Sequence, residues 1–133
     1  MTSFLLDTCT ISDLFAGVGR TKRRIQSVSP GQITVSAITV MEILYGFELN
    51  PTIRKKFSDA FQSFRDITTT IPFDSNTAET AARIRANLKS KGSPIGSFDL
   101  LIGACALTHG HVLVTSNERE FERIDGLIIE DWR

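Results

Sequence analysis

The chain has 133 residues, of which 41% are hydrophobic and 23% charged, as in an ordinary single globular domain spanning residues 1–133. Fifteen basic and fifteen acidic residues cancel, so any contact with nucleic acid must come from local patches rather than from overall positive charge. The two cysteines, Cys9 and Cys105, are too few and too far apart for a disulfide framework or a zinc ribbon. We expect reduced thiols in a cytoplasmic protein, since there is no secretory signal and no apolar run near the roughly 20 residues that cross a membrane.

The first predicted strand is Phe4–Leu6, a short apolar run that leads directly into Asp7 and Thr8. Such a run is typical of a strand that is buried on both faces of a parallel sheet. In open α/β sheets, the reactive crevice lies at the carboxyl ends of the strands. Asp7 is therefore expected at that edge, in the middle of the sheet if the first strand is central.

Strands and helices then alternate, which predicts an α/β sandwich with a central, mostly parallel five-stranded sheet flanked by helices in three layers. The further predicted strands are Ile33–Val35, Thr68–Ile71, Val112–Val114 and Leu127–Ile129. The predicted helices cover 11–15, 20–26, 37–49, 52–66, a segment from an Asp74 cap to Lys91, a segment from a Ser97 cap to Leu107, and a short turn ending at Phe121.

Glu42 lies in the middle of the predicted helix 37–49. That helix is apolar nearly all round, which predicts that it is buried. A carboxylate in a buried helix is costly unless a positive group meets it, so a metal ion, a lysine or an arginine is expected beside Glu42. A buried salt bridge is the alternative to a metal site.

Asp99 lies in the first turn of the helix that follows Ser97. Acidic residues favour this position through the helix dipole whatever their function. The rest of the helix is uncharged as far as Leu107, and its start is expected on the same side of the sheet as the end of the first strand.

A fourth acid is expected after Thr115, where the fourth strand ends in the same crevice. Glu118 and Glu120 are both candidates, and Asn117 could hold a metal-bound water. A solvated surface turn is the competing interpretation of this segment.

Carboxylates that converge without histidine or cysteine form the ligand set of Mg²⁺ or Mn²⁺. Such a metal activates water and neutralises charge on a phosphodiester, so the pattern favours phosphodiester hydrolysis. Without a metal, neighbouring carboxylates would raise one another's pKa.

The whole chain resembles the PIN-domain ribonucleases, specifically the VapC-type toxins of bacterial toxin–antitoxin pairs. Five segments carry the resemblance, in family order: L-L-D-T at 5–8, S-A-I-T-V-M-E-I-L-Y-G at 36–46, F-D-L-L-I-G-A-C-A-L at 98–107, V-L-V-T-S-N-E-R-E-F at 112–121 and I-I-E-D-W at 128–132.

By this resemblance, the family's acids fall on Asp7, Glu42 and Asp99. Its hydroxyl positions fall on Thr8 and Thr115. Many members place a fourth acid where this chain has Asn117, whereas others carry T-x-N-x-x-[acid]-F, which fits Glu120. The choice between Glu120 and Glu118, and between one and two metal ions, stays open.

The resemblance implies Mg²⁺-dependent endonucleolytic cleavage of RNA, with Mn²⁺ able to substitute. It also implies a homodimer and a cognate VapB-type antitoxin whose C-terminal segment covers the active site in a larger complex. The helix pair Ile38–Leu49 and Ile53–Phe64 is a candidate groove for that segment, although the same residues could be core or dimer contact.

Other functions are weaker interpretations of the same residues. A haloacid-dehalogenase-like phosphatase needs a second acid two residues after Asp7, where this chain has Cys9. A receiver-like module needs a lysine after a late strand, and a non-catalytic PIN-like binding module would not need the three acids. The basic runs 20–24 and 54–56 could contact RNA, but such runs are more often solvated helix faces.

Overall fold

The computed structural model describes all 133 residues. Its five strands form one sheet in the order β3-β2-β1-β4-β5, and every neighbouring pair is parallel. The strands are β1 (Phe4–Leu6), β2 (Ile33–Ser36), β3 (Thr69–Ile71), β4 (Val112–Val114) and β5 (Ile129–Glu130). The predicted parallel five-stranded sheet is confirmed, and β1 is its central strand.

Helices cover both faces of the sheet, as the three-layer prediction required. They are α1 (Thr8–Phe15), α2 (Gly19–Ser27), α3 (Ala37–Leu49), α4 (Pro51–Ile67), α5 (Ser75–Ser90), α6 (Ser97–His109) and α7 (Glu118–Phe121), with a 3₁₀ turn at Pro30–Gln32. Successive side chains of β1 point to opposite faces of the sheet, so the core has two halves. Phe4 and Leu6 pack with α1, α3 and α4, whereas Leu5 packs with α5 and α6. None of these helices is long and apolar enough to span a membrane.

Several predicted bounds differ from the structure by a residue or two, and three differences concern α1, α6 and the last strand. Helix α1 begins at Thr8 rather than Ile11, because the Asp7 carboxylate accepts the Thr10 N–H at 2.9 Å and caps the helix. The predicted Ser97 cap is wrong, because Gly96 occupies the cap position and Ser97 is the first helical residue. The last strand lies at Ile129–Glu130, slightly later than predicted.

The expectation that α3 is buried is also wrong. Only Thr39, Val40 and Phe47 of this helix are buried. The outer face carries exposed apolar side chains: Met41 (40% exposed), Leu44 (42%), Tyr45 (60%) and Leu49 (66%). We name these four residues the outer face of α3. An apolar composition predicts that a helix is covered, but nothing in this chain covers that face.

Candidate active site at the carboxyl edge of the sheet

Asp7 lies at the carboxyl end of the central strand, as predicted, and is only 4% exposed. Its backbone N–H donates to the Val114 carbonyl at 3.0 Å, which ties β1 to β4 at this edge. Its carboxylate accepts the Thr10 N–H, and the Cys9 thiol donates to it, with Sγ 3.1 Å from both oxygens. Asp7 is therefore both the cap of α1 and a carboxylate held in one place at the head of the crevice.

Glu42 approaches from α3 and is held by the hydroxyl group of Thr8. Thr8 Oγ1 donates to Glu42 Oε1 at 2.6 Å and also lies 3.3 Å from Thr39 Oγ1. The Thr39 hydroxyl in turn accepts from Ser36 Oγ at 3.3 Å, and both of these residues are fully buried. We call Glu42, Thr8, Thr39 and Ser36 the Glu42 wall. No lysine or arginine pairs with Glu42, so the salt-bridge alternative is wrong.

Asp99 approaches from the first turn of α6 and faces a second acid, Glu120. Glu120 Oε1 accepts the Gly96 N–H, and Glu120 Oε2 accepts from Asn117 Nδ2 at 2.8 Å. These contacts anchor the start of α6 to α7. We call Asp99, Glu120, Asn117 and Gly96 the Asp99 wall.

The electrostatics of the Asp99 wall are unusual. Partial burial, followed by the nearby carboxylates of Glu120, Asp7 and Glu42, raises the pKa of Asp99 to about 7. The Gly96 N–H lowers the pKa of Glu120, so that Glu120 keeps the charge while Asp99 takes up the proton. A bound cation at this edge would favour the ionised form of Asp99.

A cavity of about 430 Å³ joins the two walls. We call it the acid cavity. It is lined by Asp7, Thr8, Cys9, Ser12, Asp13, Glu42, Asp99 and Asn117. The structure thus brings Asp7, Glu42 and Asp99 together, with Asn117 at the rim. Glu120 reaches the cavity through Asp99, whereas Glu118 is exposed and makes no side-chain hydrogen bond or ion pair.

Thr115 is fully buried and does not line the acid cavity. Its hydroxyl accepts the Asn117 N–H at 2.9 Å and lies 3.8 Å from Cys9 Sγ. The expected hydroxyl beside the pocket is therefore present, and its contacts are with the loop that positions Asn117.

Three residues that line the acid cavity escaped the sequence interpretation: Cys9, Ser12 and Asp13. A helix predicted to begin at Thr8 would have revealed Ser12, because residues four apart lie on the same face of a helix. Burial, followed by the Asp7 carboxylate, raises the pKa of the Cys9 thiol, which favours the protonated donor. The Asp13 carboxylate lies 3.8 Å from the Arg133 guanidinium.

The donor set of the acid cavity fits a hard divalent cation. It offers carboxylate, hydroxyl and amide oxygens, with no histidine and one thiol that is engaged with Asp7. No three His, Cys, Asp or Glu groups are already gathered as a metal cage. Burial and the neighbouring carboxylates raise the pKa of Asp99, and a cation would offset the repulsion among those carboxylates. The Glu42 and Asp99 carboxylates would have to move toward Asp7 around the ion.

An apolar groove adjoins the acid cavity between α1, α3 and α4. Its apolar lining is Phe15, Ala16, Ile43, Phe47, Ile53 and Phe57, around a volume of about 370 Å³. Thr8, Ser12 and Glu42 line both this groove and the acid cavity, so the two are continuous.

Comparison with known proteins identifies the family to which the chain belongs. The sequence profile described as "PIN domain" matches residues 4–127, so the chain belongs to the PIN-domain family. Within that family it belongs with the VapC proteins. VapC of Salmonella typhimurium, named a tRNA(fMet)-specific endonuclease, is 36% identical over 99% of each chain. Ribonuclease VapC1 of Rickettsia felis is 35% identical over 92% of this chain and 91% of its own length.

Solved structures show the same likeness. DNA-bound VapBC from Salmonella typhimurium matches with a TM-score of 0.91 and 34% identity over the whole of both chains. VapBC2 from Rickettsia felis, bound to a fragment of promoter DNA, matches with a TM-score of 0.89 and 25% identity over 99% of this chain and all of that one. The family match favours the nuclease over the phosphatase alternative.

Proposed function

We propose that this single domain, residues 1–133, is a Mg²⁺-dependent endoribonuclease and the toxin of a toxin–antitoxin pair. The observation that carries the proposal is the convergence of Asp7, Glu42 and Asp99 on one cavity, with the pKa of Asp99 raised to about 7. Membership of the VapC group supports RNA as the substrate. The free thiols of Cys9 and Cys105 fit a reducing compartment, and we place the activity in the cytoplasm.

Asp7, Asp99 and Glu42 would hold the divalent ion, either Mg²⁺ or Mn²⁺. When bound, that ion supplies a Lewis acid for the phosphate and lowers the pKa of a coordinated water. Asp7 is fixed by the Thr10 N–H and the Cys9 thiol, so its carboxylate needs little reorganisation. Thr8 orients Glu42, and Asn117 holds Glu120 beside Asp99. Glu120 is our choice over Glu118 for the fourth acid.

The proposed partner is a VapB-type antitoxin whose C-terminal segment lies in the apolar groove and reaches the acid cavity. The continuity of the groove with the cavity supports this, since one bound segment would cover both. Several structural neighbours are VapBC complexes, as expected if the group pairs with such antitoxins. Capture of the antitoxin by tagged protein should be weakened by Ile53→Arg, because Ile53 is 39% exposed at the groove.

We also propose a homodimer that assembles with antitoxin into a larger complex. The outer face of α3 supports it, because four large apolar side chains on one helix are otherwise left in water. Light scattering should give a dimer for the wild type, and Tyr45→Asp should give a monomer that keeps its thermal transition.

The test of the nuclease is incubation with RNA in the presence of Mg²⁺ or EDTA. Total RNA and initiator tRNA are the substrates, because the Salmonella relative is named for tRNA(fMet). We expect endonucleolytic cleavage with Mg²⁺, none with EDTA, and recovery when Mg²⁺ is restored. Undiminished cleavage in EDTA would overturn the metal mechanism, and no cleavage of any RNA class would overturn the nuclease.

A further inference from the structure

A second groove lies on the other flank of the helix that carries Asp99. It is formed by α5, the first turn of α6 and the loop between them, with a volume of about 690 Å³. We call it the basic groove, and the lining residues that matter are Arg85, Lys89, Ile95, Ser97, Leu100 and Leu101. Neither the acid cavity nor the apolar groove shares any of its residues.

The charges of the basic groove are all positive. Arg85 and Lys89 are one turn apart on α5, both exposed, and the groove lining contains no acid. Neither side chain makes an ion pair or a side-chain hydrogen bond, so both are available to an anion.

Some cations elsewhere in the chain lie beside acids. Arg24 pairs with Glu130 and stacks over Trp132, and Arg54 lies 3.8 Å from Glu48. The second cavity beside α5 contains Arg83, but Glu79 and Asp125 line it as well. The basic groove combines two unpaired cations with a lining that contains no acid, and this charge complements a polyanion.

The floor of the basic groove is apolar. Ile95, Leu100 and Leu101 are half-buried and line the groove together with the two cations. Cations above an apolar floor suit a single nucleic-acid strand, because its phosphates need positive charge and its unpaired bases need an apolar surface.

The basic groove lies next to the acids. Ser97 lines the groove and Asp99, two residues later in the same turn of α6, lines the acid cavity. Gly96, at the junction, is fixed by the Glu120 carboxylate. A nucleic-acid strand with its scissile phosphate in the acid cavity would therefore reach the basic groove by passing around the start of α6.

We propose that the basic groove binds the substrate RNA strand beside the cleavage position, with Arg85 and Lys89 contacting its phosphates and the apolar floor contacting a base. The inference deepens the proposed function and rests on RNA being the substrate of the acid cavity. The groove positions the strand, whereas the acids carry the chemistry.

The test compares Arg85→Ala/Lys89→Ala with Arg83→Ala, a matched control on the same helix that faces the other cavity. Each is made with Asp7→Asn, so that fluorescently labelled single-stranded RNA is bound without being cut. We expect the double variant to raise Kd about tenfold and to reduce the salt slope of log K by about 1.4, as for two lost phosphate contacts. Arg83→Ala should change neither quantity.

With Asp7 intact, the double variant should raise KM while kcat stays within about twofold, because positioning contacts act before chemistry. The charge-preserving pair Arg85→Lys/Lys89→Arg should keep RNA affinity. Equal losses in Arg83→Ala and the double variant would overturn the groove, as would an unchanged Kd and salt slope. Loss of antitoxin capture with RNA affinity intact would assign the groove to a protein partner instead. RNA binding that depends on Arg85 and Lys89 in a wild-type protein that cuts no RNA would support the groove and overturn the nuclease.

Discussion

The Glu42 wall and the Asp99 wall present the same functional group in opposite electrostatic settings. A single neutral hydroxyl donor, that of Thr8, holds Glu42, whereas a second carboxylate faces Asp99. In the first wall, a neutral donor reaches one oxygen of the carboxylate without adding charge. The second is a carboxylate pair whose charge is only partly compensated, so it is the wall whose properties should change most when a cation binds.

This difference has a consequence for stability. A carboxyl whose pKa rises on folding binds a proton more tightly in the native state, so the metal-free protein should lose stability as pH rises from about 4 to about 7. Because Asp99 is only partly buried, solvent reduces the cost to roughly 1–2 kcal/mol. A bound cation should offset that cost.

The largest expected effect is that of Asp7→Asn, because Asp7 lies between the two walls. We expect kcat/KM for RNA cleavage to fall at least about 100-fold, since metal sites lose 10–100-fold even when only a supporting contact is removed. Asparagine caps helices as well as aspartate, so Tm should stay within about 2 °C of the wild type. Cleavage within threefold of the wild type would remove Asp7 from the site.

Asp99→Asn tests the Asp99 wall, because it should lower activity and raise the stability of the metal-free protein. Cleavage should fall about 100-fold, while removal of the uncompensated charge should raise the Tm of metal-free protein at pH 8 by about 2–5 °C. At pH 3 the gain should nearly vanish, because Asp99 is then protonated in the folded state and mostly protonated in the unfolded state. Glu118→Gln is the matched control, since Glu118 is exposed and unpaired, and it should change neither quantity.

Thr8→Val tests the Glu42 wall alone. The variant loses the hydroxyl that donates to Glu42 at 2.6 Å, and cleavage should fall about 10–30-fold, as for loss of a contact that orients a metal ligand. Thr8→Ser keeps the donor and should retain most activity. Equal losses in the two variants would show that the methyl group, not the hydroxyl, matters.

The smallest effect is expected for Glu120→Gln. Glutamine still accepts the Gly96 N–H, so the start of α6 stays anchored and cleavage should fall only about threefold to tenfold. Loss of the Glu120 charge should lower the pKa of Asp99 and move the acid limb of the pH–rate profile to lower pH. An acid limb that stays in place would show that Asp99 does not set it.

The sheet and the three converging acids were predictable because both depend on local patterns. Short apolar runs that end in Asp7 and Thr115 mark strand ends, and parallel strands bring their carboxyl ends to one edge. The start of α6 at Gly96 was not predictable, because the carboxylate that accepts the Gly96 N–H belongs to Glu120, 24 positions further along the chain. The exposure of Tyr45 and Leu49 was equally hidden, since an apolar helix has the same sequence whether its own chain or a partner covers it.

We propose above that the Glu42 wall and the Asp99 wall together bind one divalent ion and that this ion is required for RNA cleavage. The most direct test of this proposal is a Mn²⁺ titration of the wild type and Asp7→Asn at pH 8, with bound ion followed by electron paramagnetic resonance and RNA cleavage followed in the same samples. We expect binding and cleavage to rise together in the wild type and both to be lost in Asp7→Asn. Full-rate cleavage in samples without bound Mn²⁺ or any other divalent ion would contradict the proposal.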